Sequence, residues 1–211
     1  MTNKQQAYVK MAAGMIENFK KRGFDGYYCN SKEEALEKAL EIIEKGSTIA
    51  WGGSESIKEI GLLEALKNGE YTLYDRATAK TKEEQKEMYL KHMSSDYFLM
   101  SSNAVTLDGE LVNIDGNGNR VACLIHGPEN IVMVVGMNKV ATDVDSAIAR
   151  VRNMAAPPNG VRLGLTTPCA NTGKCGNCLS QDCMCCHTVI TRKCRVINRI
   201  KIILVGEELG F

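Results

Sequence analysis

Apolar side chains between Ala7 and Phe19 recur every third or fourth position, the spacing of a helix with one buried face, and Gly23 marks its end. Tyr27, Tyr28 and Cys29 then read as a short strand. Ser31 with Glu34 three residues on forms a capping box, in which serine oxygen and glutamate carboxylate satisfy N–H groups that the first helical turn leaves unpaired. It opens an amphipathic helix through Ala35, Leu36, Ala39, Leu40 and Ile43 that Gly46 terminates. Thr48 to Trp51 is the next strand, followed by a Gly52-Gly53-Ser54 turn and a helix reaching about Leu66. Asn68-Gly69 turns the chain into a strand at Tyr71 to Tyr74, Thr81 with Glu84 caps a helix ending near Met93, and Tyr97 to Met100 is a strand. Strands alternating with helices of this length predict parallel crossover units.

Beyond Asn103 the pattern changes. Ala104 to Leu107 and Glu110 to Ile114 flank Asp108-Gly109, a strong hairpin signal, and the polar turn Asp115 to Arg120 leads into the apolar run Val121 to Ile125. Ile131 to Val135 is a continuous apolar strand of the kind buried on both faces, and Asp143 to Met154 reads as a helix. Ala155 to Gly160, with its paired prolines, is expected to break regular structure, and Ile200 to Val205 supplies a closing strand. The fold class predicted is α/β, a parallel-rich sheet flanked by helices with an antiparallel excursion, in a single domain over residues 1–211 that contains a cysteine-rich segment at 168–194.

Composition narrows the function classes. Lys and Arg total 26 against 25 for Asp and Glu, with no basic block or acidic tail, so neither nucleic acid nor an anionic membrane is an expected partner. The N-terminal residues lead into a helix pattern rather than a signal core, and no run approaches the roughly 18 apolar residues of a membrane span. The expected location is the cytoplasm. Nine cysteines in a reducing compartment point to metal or redox chemistry rather than disulfides. Cys29 and Cys123 stand alone among apolar neighbours and read as buried, inert thiols, whereas the other seven lie between Cys169 and Cys194.

Within that segment Cys169, Cys175, Cys178 and Cys185 have the spacing C-x5-C-x2-C-x6-C. Two thiolates separated by two residues can turn to one metal, and Gly173 and Gly176 give the backbone the freedom such a knuckle needs. Four thiolates fit an iron–sulfur cubane, [4Fe-4S], or tetrahedral zinc. A second set, Cys175, Cys178, Cys183 and Cys186, has the zinc-like spacing C-x2-C-x4-C-x2-C, and His187 adjoins it. Both readings are open on spacing.

Three turns at strand ends carry candidate chemistry. Gly52, Gly53 and Ser54 precede a helix, where bare N–H groups favour an anion, and Glu55 stands just inside it as a candidate base. The Asp115 to Arg120 turn offers a carboxylate, the Asn119 amide and the Arg120 guanidinium, and Lys139 follows the buried strand. Turns after successive parallel strands collect at the C-terminal edge of a sheet, so these groups are expected to share one cleft for a small carboxylate or phosphate, with Glu55, Asp115 and Lys139 as acid–base candidates.

The run from Asn103 through Arg120, followed by Gly127-Pro128 and Val134 to Lys139, resembles the LUD family, the lactate-utilisation domain, and Trp51 to Ser54 with Pro168-Cys169 resembles its cysteine-bearing branch. The resemblance spans nearly the whole chain. It implies a fold similar to CoA transferases and ribose-5-phosphate isomerase, Asn103 among the ligand-binding residues, and metal ligands at Cys169, Cys175, Cys178 and Cys185, with Cys183, Cys186 and Cys194 departing from the branch. It also implies iron–sulfur or redox protein subunits as partners, while self-association stays open. The function expected is metal-binding in lactate-like organic-acid metabolism. Two alternatives compete: an isomerase- or transferase-like enzyme on a phosphorylated or CoA-linked substrate with structural zinc, and a thiol-based redox or metal sensor.

Overall fold

A computed structural model describes all residues, 1–211. The chain runs α1 (Asn3–Lys21), β1 (Asp25–Cys29), α2 (Lys32–Ile42), β2 (Thr48–Trp51), α3 (Glu55–Glu59), α4 (Leu62–Lys67), β3 (Thr72–Tyr74), α5 (Lys82–Met93) and β4 (Tyr97–Met100). It continues through β5 (Ala104–Thr106), β6 (Leu111–Asp115), α6 (Asn119–His126), β7 (Asn130–Gly136), β8 (Val140–Ala141), α7 (Val144–Arg150), α8 (Ala156–Arg162), α9 (Pro168–Thr172), β9 (His187–Thr191) and β10 (Ile200–Val205).

Six strands form an all-parallel sheet in the order β1-β10-β7-β4-β2-β3. Side chains alternate across a strand, and the unbroken apolar run of β7 follows from burial on both faces. Ile131, Met133 and Val135 face a core shared with Met15 and Phe19 of α1 and Leu124 of α6; Val132 and Val134 face a second core with Ala35 and Ala39 of α2 and Leu62 and Leu66 of α4. Each of the Ile, Val, Leu, Met and Phe side chains, fully buried, contributes about 1.5–3 kcal/mol from burial. The strand predicted to close the chain, β10, lies inside the sheet between β1 and β7.

The second sheet, in the order β8-β5-β6-β9, leaves the first from the C-terminal end of β4. Its predicted hairpin forms with Gly109 at φ +93°, and β9 adds antiparallel to β6. The sheet is mixed rather than purely antiparallel, because β8 pairs parallel with β5. Ala104 and Val112 pack there on Ala147 of α7 and on Val151 and Ala155.

Two local expectations are corrected, and one apolar run without an assigned element finds its place. The helix after Ser54 is two short helices, because Gly61 adopts φ +74° between them. Val121 to Ile125 is part of α6, which starts after Gly118 at φ +76°. The segment 155–160 does not break the helix: Val151–Ala155 forms a π turn and α8 follows. Pro157 and Pro158 fall in the first turn of α8, where N–H groups have no intrahelical role, so they cost that helix nothing.

Arg199, ahead of β10, ties this strand to the C-terminal end of α6. Its buried guanidinium donates to the carbonyls of Pro128 (2.9 Å), Leu124 (2.7 Å) and Cys123 (2.9 Å), satisfying carbonyls that the helix end leaves open. Arg199→Met keeps the stem and deletes three charge-assisted donors; it is expected to lower unfolding free energy by about 2–4 kcal/mol, read from urea midpoints at unchanged m-value.

Candidate functional site

Strand order reverses between β2 and β4: from β2 the chain moves outward to β3, and from β4 it moves the other way to β7. Loops at such a point diverge and leave a crevice at the C-terminal edge of the strands. The crevice here is a cavity of about 580 Å³. Gly53 to Glu55 after β2, Ser101 to Asn103 after β4, and Lys139 after β7 line it from the parallel sheet. Asp115 to Asn117 with Asn119 and Arg120 line it from the second sheet, and the π turn contributes Val151 and Ala155.

All three predicted turns therefore meet in one cleft, but their groups are not equally free. Arg120 is fully engaged: Nε donates to Asp115 Oδ1 (2.9 Å), Nη1 to Ser101 O (3.0 Å) and Asn113 Oδ1 (2.7 Å), and Nη2 to Asn103 Oδ1 (2.7 Å) and Ile114 O (3.1 Å). Its five N–H bonds are all used. Asp115 also accepts from the N–H groups of Arg120 (3.1 Å) and Val121 (3.2 Å), and Asn103 Oδ1 takes the Ile114 N–H as well (3.1 Å). These residues fasten the second sheet to the first and shape the cleft wall. Gly52 lies behind it, since a Cβ there would stand 3.2 Å from Arg120 Cδ. Ser54 Oγ caps α3 by accepting from Ile57 N–H (3.4 Å), and Glu55 is ion-paired with Lys58 (3.0 Å) and Arg162 (3.5 Å).

Lys139 is the exception. Only 4% exposed, it has no carboxylate at ion-pair distance and donates to Ser56 Oγ (2.8 Å) and Ser101 Oγ (3.1 Å). Burial, reinforced by the positive charges of Arg150 and Arg120 and opposed by Glu59, pulls its pKa down to about 7. Arg76, after β3, reaches the same cleft over Gly53, whose Cβ would stand 3.1 Å from Arg76 Nη2, and its guanidinium has no protein partner. Sequence reasoning missed Arg76, Ser56 and Ser101. The polar run Ser101-Ser102-Asn103 directly after a wholly apolar strand was the available signal.

The cysteine segment forms the far wall. Cys183, Cys185 and Cys186 line the cleft, and the Cys186 N–H donates to Asp115 O (3.1 Å), tying the segment to β6. All nine cysteines are free thiols. Burial raises Cys29 and Cys123 to about 11, which keeps both as unreactive thiols. Cys185 also rises to about 11, first by burial and then by the neighbouring Cys183, Cys169 and Cys175. Three of the four predicted ligands are thus electrostatic neighbours. Cys178 is turned toward Ser180, whose hydroxyl lies 3.3 Å from its sulfur and lowers its pKa.

As donors, soft thiolates suit an iron–sulfur cluster. No three His, Cys, Asp or Glu side chains are arranged closely enough to hold a metal ion, so binding requires the thiols to close together. Gly173 at φ +71° and Asn177 at φ +48° supply left-handed pivots on either side of Cys175. His187 is exposed at the start of β9.

The LUD domain family profile matches residues 12–205. Among solved structures, a DUF162 family protein from Deinococcus radiodurans aligns with 94% of this chain and 98% of its own at 11% identity and a TM-score of 0.50. Ribose 5-phosphate isomerase A from Methanocaldococcus jannaschii aligns with 54% of this chain and 55% of its own at 16% identity and a TM-score of 0.35. No curated protein matches the chain. No helix is long and apolar enough to cross a membrane.

Proposed function

This chain belongs to the LUD domain family, and from that premise we propose that its cleft binds a small organic acid of the lactate type beside an iron–sulfur cluster held by Cys169, Cys175, Cys178 and Cys185. One observation carries the reading: Cys185 of the proposed ligand set lines the same cavity as Lys139 and the unpaired Arg76. Arg76 offers a planar pair of donors to a carboxylate, which recognises it better than a point charge does. Lys139 and the hydroxyl-rich loop Ser101-Ser102 give the cleft a polar floor. When bound, a cluster of this kind supplies one-electron transfer at a potential set by its type, charge and hydrogen bonds.

An acid–base enzyme acting on a phosphorylated or CoA-linked substrate is less well supported. That reading needs Glu55, Asp115 and Lys139, and the first two are committed to ion pairs.

The test has two arms. Protein purified without oxygen is expected to be brown and to carry about four iron atoms per chain. Cys169→Ser, Cys175→Ser, Cys178→Ser and Cys185→Ser are each expected to lose iron, whereas Cys29→Ser and Cys123→Ser retain it. A colourless protein with one zinc per chain would overturn the cluster assignment. In the second arm calorimetry with lactate is expected to show binding that Arg76→Ala weakens about tenfold or more, the effect of losing a charge-assisted contact. Unchanged affinity in that variant would remove Arg76 from the site.

A further inference from the structure

Lys139 is built differently from every other lysine in the chain. Its two hydrogen-bond partners are hydroxyls that are themselves already committed: Ser56 Oγ donates to Leu209 O (3.2 Å) and Ser101 Oγ donates to Ser102 O (3.2 Å). Each can therefore only accept from the amine. A neutral amine has two N–H bonds and one lone pair, and here both N–H bonds are taken while the lone pair is left over. An ammonium in the same place would carry a third N–H with no acceptor.

The charges around Nζ come from three elements: Arg150 of α7, Arg120 of α6 and Glu59 of α3. None is at ion-pair distance, and the two guanidinium groups outweigh the one carboxylate. Lys139 itself lines the cleft, beside Ser101 that holds its amine. A desolvated lysine beside other cations is the arrangement that turns an amine into a nucleophile toward carbonyl carbon.

We propose that Lys139 is a nucleophilic lysine that forms an imine with the carbonyl carbon of a 2-oxo acid bound in the cleft. The proposal rests on the reading of this cleft as an organic-acid site and adds the oxidation level and the covalent partner. The carboxylate of the acid pairs with Arg76, since every N–H of Arg120 is already used. The Nζ lone pair attacks the carbonyl carbon and the C–O π electrons move to oxygen, giving a carbinolamine. The C–O bond then breaks and the oxygen leaves as water with the two amine hydrogens, so amine and ketone become imine and water with no oxidant or reductant.

The test uses the full chain purified without oxygen, with pyruvate as probe and sodium borohydride, which delivers hydride to the imine carbon and makes the link permanent. The result expected is one adduct per chain on the peptide that contains Lys139, with a mass gain of one pyruvate less one oxygen atom. Its yield should exceed that at any exposed lysine roughly tenfold or more at neutral pH, where ordinary lysines are almost wholly protonated. Lys139→Arg should abolish it while retaining a cation. Absence of the adduct from Lys139, or label spread evenly over surface lysines, would overturn the proposal; because this is read on the unaltered chain, it does not depend on the variant folding. Calorimetry with lactate, which has no carbonyl to attack, separates the two levels. Lactate binding without a pyruvate adduct sinks the imine and leaves the organic-acid site standing, and failure of both acids to bind sinks both.

Discussion

Replacing Arg120 by alanine is expected to destabilise the protein by about 3–5 kcal/mol, the usual cost of removing one partner from a largely buried ion pair. Arg120 and Asp115 are 11% and 12% exposed at the side chain, and the guanidinium feeds five acceptors, three on β6 and two on the loop after β4. Alanine leaves the Asp115 carboxylate without its cation and strips a donor from Asn103, Asn113, Ser101 and Ile114 together. Asn113 already holds the one buried side-chain polar atom without a partner, its Nδ2, so this network has no slack to absorb the loss. Arg120→Lys should recover only a small part, because an ammonium cannot reach the spread of acceptors that the planar fork serves. Urea unfolding decides the matter: a loss under about 1 kcal/mol would mean that the junction of the two sheets is held by packing alone.

Lys139→Met is expected to act in the opposite direction. The lysine has a folded-state pKa of about 7, below its ordinary value of 10.5. Between those values the unfolded chain binds a proton that the folded chain does not, so wild-type stability rises with pH across that window. Below pH 7 both states are protonated and the full penalty, on the order of 5 kcal/mol, stands unchanged. Methionine keeps the length of the side chain and removes the charge, and Ser56 and Ser101 keep the carbonyls they donate to. The variant should therefore be more stable than wild type at pH 7, with the advantage shrinking as pH approaches 10. Buried Cys29 and Cys123, with pKa values raised to about 11, pull the other way: their contribution is complete below the unfolded thiol pKa and is lost as pH rises through the folded one. The difference between the two proteins isolates the lysine. Parallel stability curves from pH 7 to 10 would show that Lys139 is charged in the fold.

Much of the architecture was legible where a local rule decides conformation. Thr81 and Glu84 form the reciprocal capping box their spacing announces. Ser31 and Glu34 form half of theirs: the serine oxygen accepts from Glu34 N–H, but the Glu34 carboxylate reaches one residue further to the Asn30 N–H (2.8 Å). The apolar run of β7 announced burial on two faces and has it. What stayed hidden depends on distant partners. Nothing local tells the run Val121 to Ile125 to be a helix rather than a strand; Gly118 in the left-handed region and Asp115 receiving the first N–H groups decide it. Pro157 and Pro158 look like breakers, yet they stand in the first turn of α8 directly after the π turn. In the cleft, the convergence of turns was legible because sheet topology enforces it. The freedom of individual groups was not, since whether a guanidinium serves a ligand or its own backbone depends on what stands across from it. Arg120 spends its guanidinium on five protein acceptors, whereas that of Arg76 has no protein partner.

The position of β10 has a consequence for how the chain is made. Strand β1 has a single neighbour in the sheet, and that neighbour, β10, is synthesised after every other strand of the sheet. Until β10 is made the Asp25–Cys29 segment has no partner, and the edge of β7 that will receive Ile200–Val205 stands open. At synthesis rates of about 5–20 residues per second this exposes two apolar strand edges for many seconds, the state in which nascent chains aggregate and chaperones engage. The cysteine segment emerges before the sheet can close, so the ligands for any cluster are presented on a half-built scaffold. Chains stopped short of residue 200 should accumulate as insoluble material, since the parallel sheet would be divided where β10 belongs.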